Sequence, residues 1–173
     1  MRQMPLYVVW LLMMSMLWIG HAATARAADP VQAGYRDFSF PVGTAGNSAP
    51  TGEKPESKLW WNDGFWWGIL WSTPGNAYHI YQLDMPTQNW LDTGVVVDDR
   101  NTSRADALWD GQHLYVASHI FSANTGQPQP AGQRGELYRY SYDVTSKHYT
   151  LDSGYPVEIT GGNAEAMVLD KDS

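Results

Sequence analysis

The sequence contains no cysteine. That excludes disulfide staples, thiolate metal sites and lipid attachment through a cysteine, and leaves the chain to be held by its hydrophobic core. Charge is scarce too: 17% of the 173 residues are charged, and acidic residues outnumber basic ones 18 to 11. A formal net charge of −7 argues against a nucleic-acid partner held by phosphate contacts. No Gly-x-Ser-x-Gly element, Walker loop or dinucleotide fingerprint occurs, so the common hydrolase and nucleotide-binding chemistries have no support. His79, His113, His119 and His148 lack helical metal spacing, and neither a metal nor a cofactor is expected.

Long apolar runs are lacking except for one, Leu6 to Ile19, which follows the single charge at Arg2 and precedes Ala25-Arg26-Ala27. This is the layout of a secretory signal cut after Ala27. An uncleaved anchor is the alternative, although the run is short for a membrane span of roughly 20 residues. Removing Arg2 and Arg26 takes the formal charge from −7 to −9. The exported chain is expected to be secreted or periplasmic, with no membrane contact after cleavage. Residues 28–55, with Gly34, Pro41, Gly43, Gly46, Pro50 and Pro55, form an irregular lead-in.

What the sequence has in abundance is tryptophan and an internal repeat. Tyr78-His-Ile-Tyr and Asp92-Thr-Gly return as Tyr138-Arg-Tyr-Ser and Asp152-Ser-Gly, offset by 60, and Leu59-Trp-Trp-Asn-Asp-Gly returns as Ala107-Leu-Trp-Asp-Gly. A third copy opens at Ala164. Each unit divides into four strand-like pieces separated by turn residues. In the first they are Ser57–Asn62, Phe65–Ser72, Ala77–Asp84 and Trp90–Val97; in the second, Ala105–Trp109, His113–Ser122, Glu136–Tyr142 and His148–Ile159. Asp63-Gly64 and Asp110-Gly111 are hairpin turns, because glycine accepts the positive φ that a tight turn needs.

Repeats of this length built from short strands are the mark of propeller blades. Over residues 56–173 the chain resembles secreted bacterial β-propellers of the sialidase-like or Kelch-like kind. The resemblance implies an all-β fold of four-stranded antiparallel blades: blade 1 at about 56–100, blade 2 at about 101–160, and the first strand of a third at about 161–173. On this view the chain is an incomplete propeller whose partner includes further C-terminal blades of the same protein. Leu114, Tyr138, Tyr140 and Tyr142 would face the next blade.

Within Phe65–Trp71 the two-residue period turns Phe65, Trp67, Ile69 and Trp71 to one face and Trp66, Gly68 and Leu70 to the other. Both faces are apolar, so Trp66, Trp67 and Trp71 are expected in the core. Trp60 and Trp61, beside a polar turn, are candidate ligand contacts. Aligning the first strand of each unit puts Lys58, Asp106 and Glu165 at equivalent places near the propeller axis, with Arg104 close by. Carboxylates beside cations can divide acid and base roles; solvated strand ends with ordinary salt bridges are the bland alternative. No recognisable catalytic set is present, and the sialidase Asp-box, Ser-x-Asp-x-Gly-x-Thr-Trp, is absent. A binding or scaffold module for a glycan or protein is therefore expected ahead of a sialidase-like glycoside hydrolase.

Overall fold

A computed structural model describes residues 55–121, 128, 133–160 and 165–172, all within the unit Asp37–Ser173. The expected signal peptide, the lead-in up to residue 54 and most of the loop between Phe121 and Gly135 lie outside the described residues. Among the described residues every regular element is a strand. No helix among them is long and apolar enough to cross a membrane.

Strands β1 (Leu59–Asn62), β2 (Phe65–Ser72), β3 (Ala77–Asp84) and β4 (Asn89–Asp98) form an antiparallel sheet in chain order. Strands β5 (Ser103–Trp109), β6 (His113–Ile120), β7 (Gly135–Asp143), β8 (His148–Leu151) and β9 (Val157–Thr160) form a second antiparallel sheet, in the order β5-β6-β7-β8 with β9 also paired to β7. The turn chemistry explains the hairpins. Asp63 and Gly64 both have positive φ, 52° and 80°, as the tight β1–β2 turn requires. At the β5–β6 turn the Asp110 carboxylate accepts the amides of Gln112 and His113, both at 2.7 Å.

The core lies between the sheets. Trp60, Trp67, Ile69, Trp71, Tyr78, Ile80 and Val97 of the first sheet meet Leu114, Val116, Tyr138, Tyr140 and Tyr149 of the second. Aromatic rings pack edge to face throughout: Trp67 lies 5.0 Å from Tyr149 at 88°, and Trp60 lies 5.7 Å from it at 79°. The polar tips are satisfied, since the Tyr149 hydroxyl accepts both the Trp60 indole N–H and the Asn62 amide at 2.9 Å. Removed from water, that phenol is pushed up to about 12, although the Trp60 and Asn62 donors favour its charged form.

Several expectations need correction. Trp66 is 42% exposed, because it stands at the hairpin end opposite Trp61, whereas Gly68 and Leu70 further along the same face are buried as expected. Leu114, Tyr138 and Tyr140 face the first sheet and are buried against it. The expected fourth strand His148–Ile159 is two strands, parted around Gly154 (φ 89°) and Pro156, which has no amide to donate to β7. Residues 165–172, expected to open a further strand, belong to neither sheet.

Candidate functional site

The first strands of the two sheets lie side by side at one end, where the Ala107 amide donates to the Ser57 carbonyl at 2.8 Å. Asp106, buried on β5, accepts the Ser57 amide on one carboxylate oxygen (2.7 Å) and the Leu169 amide on the other (2.8 Å). It therefore ties three chain segments together, and both of its oxygens are occupied by main-chain donors.

A cleft of about 210 Å³ opens beside this junction, lined by Pro55, Arg104, Glu165 and Ala166. The Arg104 guanidinium lies 4.0 Å above the Phe121 ring, and Glu165 is exposed at the mouth. The residues next to these lining groups form a buried pair: Glu56 Oε1 is 2.6 Å from His119 Nε2, with both side chains 1% exposed. Glu56 follows Pro55 and also accepts the Met167 amide at 3.1 Å, next to Ala166. His119 is the cross-strand neighbour of Arg104. Glu56 Oε2 and His119 Nδ1 make no protein hydrogen bond, so this buried pair behind the lining residues holds unspent polar capacity.

Lys58 is 2% exposed, and its Nζ has no hydrogen bond but lies 4.2 Å from the centre of the Tyr78 ring. Burial pushes its amine down to about 8, against the pull of Glu56 and Asp98. Asp98, 3% exposed, is held by Arg100 through two guanidinium nitrogens (2.6 and 2.9 Å) and by the Ser118 hydroxyl at 2.5 Å. This network anchors the link between the sheets and gives the buried lysine a nearby countercharge.

The residues singled out from sequence thus separate. Arg104 and Glu165 line the cleft; Asp106 is a strut beside it; Lys58 is closed off against Tyr78. Trp60 is in the core at 5% exposure, its indole N–H spent on Tyr149, whereas Trp61 is 50% exposed and stands edge to face with Trp66 at 5.5 Å. Sequence reasoning placed His119 in or beside a strand without a metal role but missed its pairing with Glu56, which spans 63 positions and leaves no spacing signal. Among the described residues no cluster of three or more His, Asp or Glu side chains is placed to hold a metal ion. No known protein family, curated protein or solved structure matches this chain.

Proposed function

We propose that the chain is an exported β-propeller module that binds a glycan or protein ligand at the cleft between Pro55, Arg104, Glu165 and Ala166. In this reading the two sheets are successive blades, and β1 and β5 are their innermost strands. The observation that carries it is the meeting at Asp106 of segments from all three repeat copies, with β1 and β5 side by side there and the segment 165–172 joined through the Leu169 amide. A cationic and an anionic side chain at the mouth, with an exposed aromatic ring against the cation, suit a ligand rich in hydroxyl groups. A glycan is accordingly the favoured class.

The test is a glycan array followed by calorimetry on the full secreted chain. Binding is expected to fall at least tenfold in Arg104→Ala and Glu165→Gln and to persist in Trp61→Ala. Loss in Trp61→Ala alone would move the site to the exposed tryptophan pair, and no binding to glycans or to extracellular proteins would end the proposal. The export half is checked by N-terminal sequencing, with Ala28 expected first. A second reading, a sialidase-like glycoside hydrolase, is favoured by the buried Glu56–His119 pair next to the residues that line the cleft. Turnover of a fluorogenic glycoside panel that disappears in Glu56→Gln would select it.

A further inference from the structure

Residues 165–172 form a wall common to two cavities. Glu165 and Ala166 line the cleft with Pro55 and Arg104, and Leu169–Asp172 form one side of a second cavity, of about 320 Å³, also lined by Leu108, Tyr115 and Leu137. The segment is in no strand ladder. Its Met167 and Leu169 amides are instead held by side chains, at 3.1 Å from Glu56 Oε1 and 2.8 Å from Asp106 Oδ2. Further along, Lys171 Nζ donates to the Asp110 carbonyl at 2.8 Å. Met167 and Leu169 are half-buried while Ala166, Val168 and Asp170 are exposed, so alternate residues face the protein.

We propose that residues 165–172 are a movable strap that swings as one unit away from the second sheet and opens both cavities to ligand. The decisive feature is what each carboxylate keeps when the strap leaves. Glu56 retains His119 at 2.6 Å, and Asp106 retains the Ser57 amide at 2.7 Å. Glu56 Oε1 thus loses no more than one of two partners, and only Asp106 Oδ2 gives up its donor, at a place that the departing segment opens to water, which reduces the usual cost of breaking a buried hydrogen bond. The released amides of Met167 and Leu169 pass to water. Opening a ladder strand, by contrast, exposes donors and acceptors on both partners at once.

Hydrogen exchange of the folded full chain, followed by NMR, tests this. In the unaltered protein the Met167 and Leu169 amides are expected to exchange at least tenfold faster than the ladder amides of Val116 and Ala117, and at rates close to each other. Glu56→Gln and Asp106→Asn each weaken one bond to the strap, together with the contact to His119 or to the Ser57 amide respectively, and each is expected to accelerate both strap amides by about tenfold or more. Acceleration confined to the nearer amide would refute movement as a unit. Should either variant fail to fold, the unaltered protein still decides: strap amides exchanging as slowly as Val116 and Ala117 would overturn the proposal.

Discussion

Replacing Lys58 by methionine is expected to stabilise the protein near neutral pH. The ammonium is buried and without a hydrogen bond, and burial brings its pKa down from 10.5 to about 8. Those values differ by about 2.5 units, worth about 3 kcal/mol at 1.36 kcal/mol each, which is the cost of keeping the charge inside the folded protein. The cation–π contact with Tyr78 offsets part of this, by about 0.5–2 kcal/mol. A net gain of about 1–3 kcal/mol follows for Lys58→Met, within the range found when buried charges give way to packed apolar groups.

The pH dependence makes the reasoning sharper. Between about pH 8 and 10.5 the unfolded chain still holds the Lys58 proton while the folded chain has released it, so stability rises with pH across that window. The cost is fully present below about pH 8, and about 2 kcal/mol of it is recovered by about pH 9.5. Urea unfolding followed by tryptophan fluorescence at about pH 7 and 9.5, on both proteins, measures this. Comparing them cancels the buried tyrosines, whose raised pKa values act on both alike. A stability difference that stays flat between the two pH values, or a less stable Lys58→Met at pH 7, would refute the argument.

Tyr149→Phe leaves the Trp60 indole and the Asn62 amide without their acceptor, and a loss of about 2–4 kcal/mol is expected in thermal or urea unfolding. Asp98→Asn strips the buried countercharge from Arg100 and from the nearby Lys58, so a loss of about 3–5 kcal/mol is expected, measured the same way. At Gly75 a new Cβ would fall 2.6 Å from His79 Nε2, in a ring that Asp92 holds fixed at 2.9 Å; Gly75→Ala is expected to cost about 1–3 kcal/mol, and less in a His79→Ala background.

Strands were the most legible feature, because turn residues bound them. β2 and β3 were legible to the residue, since Asp63-Gly64, Thr73 to Asn76 and Met85 to Asn89 punctuate the chain, although Asn89 itself opens β4. The two-residue period also assigned Phe65, Trp67, Ile69 and Trp71 to the face that packs on the second sheet. On the opposite face Gly68 and Leu70 are buried as well, but the period could not say how far along the strand that cover extends, since apolarity reports what a position would gain from burial and not whether a neighbour exists. Trp66 shows the difference. At the cleft, Glu165 was legible through the alignment of first strands and Arg104 through its place just before Asp106, whereas the pairing of Glu56 with His119 was not. Their pairing depends on how the Glu56 segment crosses the end of the second sheet, and nothing local in either stretch encodes that path.

The repeat itself separates scaffold from site. His79 bonds Asp92 in the first sheet, and Arg139 bonds Asp152 in the second, each across 13 positions, and each aspartate also accepts a serine hydroxyl, from Ser72 and Ser141. The recurring Asp-Thr/Ser-Gly element is thus one half of a basic–acidic strut between third and fourth strands, with Gly94 and Gly154 at positive φ just after it. Folding accounts for what recurs. The polar groups around the cleft do not recur: the seventh residue is Trp71 in β2 and His119 in β6, and the position two before Lys58 is Glu56 while that two before Asp106 is Arg104. A duplicated scaffold needs no charge reversal at equivalent places and no histidine in place of a core tryptophan. These departures gather at one end of the junction, beside the cleft and the segment 165–172, which is where the proposed binding site lies.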